Sequence, residues 1–181
     1  MKKGLSINIL RPRTFLGPGR LGAFKTLFEA IYGNKRLFIL GHGNNLFQLL
    51  AISDLADAVE KAMVSKVDMQ IFNIAAKNFG TWRSDLADII KYQKSRSKIM
   101  GLPIWIIRII LPILKQLRLN FQDISHYESL VVPSYVSIEK AEKLLKWHPK
   151  KSNRELLLKS YKWYENTIIN YKSIVGLRSK Y

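Results

Sequence analysis

No cysteine occurs among the 181 residues, which excludes disulfides, thiolate nucleophiles and any zinc or iron–sulfur centre built on sulfur. Histidine is scarce too: His42, His126 and His148 stand far apart without acidic neighbours at ligand spacing, so no metal site is expected. Acidic residues number 13 against 30 lysines and arginines, a net charge of +17. Long apolar runs are missing, since the longest, residues 102–114, is broken by Arg108 and Pro112 and is too short to cross a bilayer as a helix. Lys2 and Lys3 are followed by an alternating stretch and not by an apolar block, so no signal peptide is expected and the compartment is read as cytoplasmic. There is no G-x-S-x-G elbow and no carboxylate pair spaced for acid–base work, so a hydrolase triad is unsupported and no catalytic residue is assigned.

What is present is the composition of a folded protein, 48% hydrophobic and 24% charged, and residues 1–181 are read as a single unit. The excess of positive charge asks for an anionic partner. It is spread out, with 12 basic and 7 acidic residues in positions 1–90 and 18 and 6 in 91–181. Clusters such as Lys94, Arg96, Lys98 and Lys146, Lys150, Lys151, Arg154 are explained as well by solvated faces. The aromatic residues Tyr161, Trp163, Tyr164 and Tyr171 could stack bases, but at helical spacing they read as packing, and nucleic acid is not expected as a partner.

Along the chain, β-branched content predicts strands over residues 5–11 and 68–75, with shorter ones over 37–40 and 47–52. Apolar residues Leu21, Phe24, Leu27, Phe28 and Ile31 predict a helix over 21–32 that ends at Gly33. Further helices are expected from a cap at Ser53 or Asp54 to Met63, from residues 81–84 to about 92, from Pro103, over 137–145, and over 153–171; residues 91–98 read as a basic connector. Negative charge at a helix start explains Asp54 and Asp57 without catalysis. The organisation is α/β with a helical carboxyl-terminal part. Two long strands cannot make a doubly wound sheet, so the chain reads as half of something larger.

Two signals compete with blander readings. Gly17-Pro18-Gly19-Arg20-Leu21-Gly22 matches G-x-G-x-x-G, but five residues separate it from the strand and no acidic residue follows the next one, so it reads as a turn and not as a dinucleotide loop. Residues 103–119 place Arg108, Lys115, Gln116 and Arg118 on one arc of an otherwise apolar helix, either a packing helix over a cavity or a surface for weak contact with an anionic membrane.

The order of segments Leu10-Arg11-Pro12-Arg13-Thr14-Phe15-Leu16-Gly17-Pro18-Gly19, then residues 41–58 beginning Gly41-His42-Gly43-Asn44-Asn45, then Phe72-Asn73-Ile74-Ala75, and finally residues 135–149 closing on Trp147-His148-Pro149, resembles the carboxyl-terminal half of an NAD-dependent epimerase/dehydratase of the extended short-chain dehydrogenase/reductase family. The resemblance implies an incomplete Rossmann-like α/β fold with a small, mainly helical substrate-binding region. It implies that Pro12 and Arg13 lie beside the nicotinamide, that Thr14 and Phe15 face substrate, and that Leu21, Phe24, Lys25 and Gln48 line its pocket.

The same resemblance defines what the chain does not contain. The family holds NAD or NADP on an amino-terminal glycine-rich loop and uses a Tyr-x-x-x-Lys pair, in which the lysine lowers the tyrosine pKa. The residues four after Tyr32, Tyr92, Tyr127, Tyr135, Tyr161 and Tyr164 are Arg36, Arg96, Val131, Glu139, Glu165 and Ile168, none of them lysine. Nucleotide-sugar members often carry Asn at the position of Thr14 and arginines near Leu46 or Phe47 and near Pro133 or Ser134, a pattern not met here. The expectation is therefore a substrate-binding half that acts on a nucleotide sugar or related small molecule. It would bind no dinucleotide alone, need an amino-terminal Rossmann half as partner, and form a homodimer when complete. The alternative is a non-enzymatic basic module for anions or membrane surfaces.

Overall fold

The computed structural model describes residues 7–103, 105 and 133–171. Its elements in chain order are strands β1 (Asn8–Pro12) and β2 (Phe15–Leu16), helix α1 (Phe24–Tyr32), strands β3 (Leu37–Leu40) and β4 (Leu50–Ala51), helix α2 (Ile52–Val64), strand β5 (Gln70–Ile74), helix α3 (Trp82–Gln93), strand β6 (Ile99–Leu102), and helices α4 (Glu139–Leu144) and α5 (Asn153–Tyr164). A π-helical turn, Glu165–Ile169, prolongs α5. Three parallel strand pairs organise the chain: β1 with β5, β2 with β4 and β3 with β6. Parallel pairing requires crossover connections, and each pair is joined by a stretch that contains a helix: α1 between β2 and β4, α1 and α2 between β1 and β5, and α2 and α3 between β3 and β6. This is the mixed α/β architecture expected.

Local chemistry explains most boundaries. In α1 the apolar spacing puts Phe24, Phe28 and Ile31 on one buried face, and Gly33 closes the helix. Helix α3 starts on a capping box in which Thr81 and Ser84 satisfy each other's backbone N–H groups, and α5 starts on the same device made by Ser152 and Glu155. The cap expected at Ser53 or Asp54 is not formed. Helix α2 begins at Ile52, directly after β4, and its capping residue Ala51 offers no side-chain bond. Asp54 is buried inside the first turn instead, where its Oδ2 accepts the backbone N–H groups of Lys150 and Lys151, each at 3.0 Å. The carboxylate thus ties α2 to the approach to α5.

Two buried clusters form the core. One gathers Phe28 and Ile31 of α1, Leu86 and Ile89 of α3, and Leu156, Leu157 and Tyr161 of α5 around Leu16, Leu37 and Leu49. The other packs Phe72 and Ile74 of β5 against Ala58 of α2, Ala141 of α4 and Trp147. Strand β6 falls between the basic connector that the sequence predicts over residues 91–98 and the helix it predicts from Pro103, where no strand is expected. The predicted basic amphipathic helix over residues 103–119 lies outside the described residues except for Pro103 and Trp105. Among the described residues no helix is long and apolar enough to cross a membrane.

Candidate functional site

The carboxyl ends of β1 and β5 lie side by side, with Pro12 in register with Ile74 and the Arg13 N–H donating to the Ile74 carbonyl at 2.9 Å. Open α/β sheets bind ligands at this end of their strands. Arg13 sits in the loop immediately after β1, and its Nη2 donates to both the carbonyl, at 3.2 Å, and the hydroxyl of Ser134. That contact spans most of the chain. Ser134 is anchored in turn, since its N–H donates to the Leu46 carbonyl at 2.9 Å and its carbonyl accepts from the Gln48 N–H at 3.2 Å.

Gln48 is the clamp of this region. Its Nε2 donates to the Ala76 carbonyl at 2.6 Å and its Oε1 accepts the Val136 N–H at 2.9 Å, with only 1% of the residue exposed. Both ends of the amide are used to hold the segment after β5 and the segment around residue 136 against the start of β4. Thr14 presents its side chain to solvent while its carbonyl accepts the Leu50 N–H at 3.0 Å. Phe15 is half-buried beneath the Arg20 guanidinium, 4.4 Å from the ring centroid, a cation–π geometry.

The structure therefore brings Pro12, Arg13, Thr14, Phe15 and Gln48 to one end of the β1–β5 and β2–β4 pairs. Phe24 reaches the same region through an aromatic stack: its ring lies 5.4 Å from Trp82, whose other contact, at 4.2 Å, is Phe47, the neighbour of Gln48. Leu21 is buried just before α1, and Lys25 is exposed on its first turn; neither joins the hydrogen-bond network around Gln48. Ser134 and Trp82 are the members of this group that sequence reasoning missed. Trp82 could have been found as the residue following the Thr81 cap, but nothing local to Ser134 shows that it receives Arg13.

Residues 17–22 do not form a dinucleotide loop. Gly17 and Arg20 exchange backbone hydrogen bonds of 3.2 and 3.0 Å across a tight turn, Gly19 takes φ +83°, and α1 begins only at Phe24. Two orphan donors remain near the strand ends: Arg13 Nε and Trp82 Nε1 are buried without a partner among the described residues. The large pKa displacements lie elsewhere. Burial raises Asp85 to about 6 and Tyr164 to about 12, and raises Tyr161 further; the two tyrosines belong to the α1–α3–α5 core. Among the described residues no group of three or more His, Asp or Glu could hold a metal ion.

No family model matches the chain. It is 34% identical over 166 residues to the uncharacterized protein y4nG of Sinorhizobium fredii, covering 91% of this chain and 41% of that protein. It is 27% identical over 144 residues to the 3beta-hydroxysteroid-dehydrogenase/decarboxylase isoform 2 of Arabidopsis thaliana, covering 73% and 24%. Among solved structures, UDP-glucuronic acid 4-epimerase from Bacillus cereus in complex with NAD superposes with a TM-score of 0.67 at 20% identity, over 90% of this chain and 45% of that one. The dTDP-glucose 4,6-dehydratase from Bacillus anthracis, also with NAD, gives 0.63 at 16% identity, over 92% and 47%. The chain spans less than half the length of each of these proteins, and its fold is that of roughly the carboxyl-terminal half of the two solved structures.

Proposed function

We propose that a chain with the fold of the carboxyl-terminal half of the NAD-dependent epimerases and dehydratases is the substrate-binding half of such an oxidoreductase. In this reading it acts on a nucleotide sugar or related small molecule and depends on an amino-terminal Rossmann half. The observation that carries the reading is the open apolar face of the β1–β5 pair among the described residues. Ile9 and Ile71, opposite each other in register, are 49% and 39% exposed, and Ile7 beside them is 53% exposed, while Phe72 and Ile74 on the other face are buried. Parallel sheets are normally covered on both faces and contain more than two strands. An apolar face of this kind fits the missing strands and helices of a dinucleotide-binding half.

Pro12 and Arg13, at the carboxyl end of β1, are the residues of this chain that would meet the nicotinamide end of NAD or NADP, and the unpaired Arg13 Nε is a donor suited to a polar ligand there. The turn at residues 17–20 offers no pyrophosphate cradle, so the rest of the cofactor would be held by the other half. When bound, the cofactor supplies hydride exchange. In this reading Thr14 and Phe15 touch substrate, Lys25 supplies positive charge from α1, Gln48 holds the pocket wall formed by residues 76 and 136, and the Phe24–Trp82 stack backs it together with Leu21.

Two measurements test this. The chain alone should leave NADH fluorescence unchanged, whereas the chain joined to its Rossmann half should enhance and shift it; saturable micromolar NADH binding by the isolated chain overturns the division of labour. In the complete enzyme, Lys25→Ala should raise KM about tenfold, the scale of one charge-assisted hydrogen bond, with kcat and thermal midpoint little changed. Lys25 is the cleaner probe than Phe24, because Phe24→Asp would place a charge in the core. An unchanged KM removes Lys25 from the pocket.

A further inference from the structure

A cleft of about 660 Å³ opens along α3 and the segment that leads into β6. Four cationic residues line it, Arg83, Lys91, Lys94 and Lys98, over apolar surface from Ile90 and Ile99, and no acidic side chain is among its lining residues. The nearest carboxylates of α3 are otherwise engaged. Asp88 pairs with Arg154 at 3.0 Å, and Asp85 is buried against Asn153. Lys91, Lys94 and Lys98 form no ion pair among the described residues.

The carboxyl-terminal dipole of α3 favours lysine at its last turn, which accounts for Lys91 and Lys94. It does not account for Lys98, which arrives from the approach to β6, or for Arg83, which stands in the first turn of the same helix. Arg83 is held in place by its Nε donating to the His42 carbonyl at 2.8 Å and its Nη1 to the Ile99 carbonyl at 3.5 Å. Lys94 also occupies a left-handed conformation, φ +53°, where glycine is the usual residue and a side chain costs roughly 1 kcal/mol. Four like charges lining one depression make its potential positive and favour an anion there.

We propose that this cleft binds a phosphate-bearing ligand, with its phosphate on the Lys91, Lys94, Lys98 and Arg83 rim and an adjoining apolar portion on Ile90 and Ile99. The cleft residues are distinct from those at the strand ends, and the inference stands independently of the reading above. A soluble phosphate ester and the headgroup of an anionic lipid share this chemistry. Guanidinium geometry at Arg83 suits phosphate oxygens, and the lysines add point charges around it.

The test is calorimetric titration of the full chain with inorganic pyrophosphate, in parallel with sedimentation on phosphatidylcholine vesicles containing phosphatidylglycerol. The K91A/K94A/K98A variant should bind at least tenfold more weakly in one of the two arms. K140A/K143A/K159A, which removes the same charge from exposed lysines elsewhere, should change binding less than twofold. Loss in the pyrophosphate arm identifies a soluble ligand, and loss in the vesicle arm alone identifies a lipid headgroup. Equal losses in the two triple variants, or no binding of either probe by the parent chain, overturn the proposal. Neither probe contains a sugar or a dinucleotide, so the result does not depend on the epimerase-like reading, and the thermal midpoints verify that both variants fold.

Discussion

Trp147→Ala should destabilise the protein by about 3–5 kcal/mol, the usual cost of deleting a large aromatic side chain from a packed interior. Trp147 is fully buried in the cluster that includes Leu50, Ala58, Phe72 and Ile74, so the substitution opens a void among residues from β4, α2 and β5 at once. It also removes a hydrogen bond, because the indole Nε1 donates to the Asp54 carbonyl at 3.1 Å. That bond lies beside the two that the Asp54 carboxylate accepts from the Lys150 and Lys151 N–H groups, so the same indole keeps the route into α5 in place. The backbone prepares the position: Lys146 takes φ +52° after α4, and the chain turns so that the Trp147 N–H reaches the Ala141 carbonyl at 3.4 Å. Urea denaturation monitored by far-UV circular dichroism measures the loss. Domain stabilities are of the order of 5–15 kcal/mol, so the midpoint should fall by about a fifth or more. Trp147→Phe keeps most of the volume and should lose only about 1–2 kcal/mol, chiefly the hydrogen bond and the smaller void. A loss below about 1 kcal/mol for the alanine variant would mean that this cluster does not hold the fold together.

Helix α1, strand β3 and the pairing candidates β1 and β5 were legible because their signals are local: apolar spacing in one case, short β-branched runs bounded by Gly, Asn or Pro in the others. Strand β6 was not. Ile99-Met100-Gly101-Leu102 follows the alternating basic stretch Lys94-Ser95-Arg96-Ser97-Lys98 and precedes Pro103, and its glycine argues against a strand when read alone. The pairing with β3 explains that glycine, since a Cβ at Gly101 would collide with the Gly41 carbonyl oxygen of the neighbouring backbone. Glycine inside a short apolar run was therefore the available signal for a close backbone approach. Asp54 shows the opposite failure. A carboxylate at a helix start is read as a cap or a dipole partner, yet its true partners are backbone groups nearly a hundred residues away, which no local pattern reveals.

The candidate site divides along the same line. The end of β1 is readable; Pro12, Arg13 and Thr14, which the family resemblance singles out, lie at or just after it, and Phe15 opens β2. Contacts of long sequence separation are not: Arg13 with Ser134, Gln48 with Val136, and Asn153 with Phe47 depend on how the helical part folds back over β4. The aromatic stack of Phe24, Trp82 and Phe47 likewise joins three segments whose individual patterns say only that each is apolar.

Asn153→Leu should destabilise the protein by about 3 kcal/mol or more, and the pH dependence of stability should identify the reason. Asn153 opens α5 and is fully buried, and its side chain serves three partners. Oδ1 accepts the Leu49 N–H at 2.9 Å, and Nδ2 donates to the Phe47 carbonyl at 2.6 Å and to Asp85 Oδ2 at 3.1 Å. Leucine keeps the branching at Cγ and strands all three groups, each buried polar group costing about 1–3 kcal/mol when unpaired. Asp85 adds a titration. Burial lifts its pKa from 3.8 to about 6, opposed by the Asn153 hydrogen bond and assisted by the nearby Asp88 charge. A carboxyl whose pKa is raised on folding favours the folded state when protonated, so its contribution is fully present below about pH 4 and is lost as pH rises through 6. The displacement corresponds to about 3 kcal/mol between the two limits. Asp85→Asn retains an oxygen acceptor for Asn153 without the charge, so it should be more stable than the parent at pH 7.5 and should lack this component of the rise in stability from pH 7 to pH 4. Asn153→Leu removes the one favourable contact of the ionised form, pushing the Asp85 pKa above 6 and making the variant's stability deficit larger at pH 7.5 than at pH 4. Urea titrations of the parent and both variants across that range measure each effect. A deficit for Asn153→Leu that is the same at both pH values, together with an unaltered profile for Asp85→Asn, would show that Asp85 is ionised without penalty and that the amide acts only through Phe47 and Leu49.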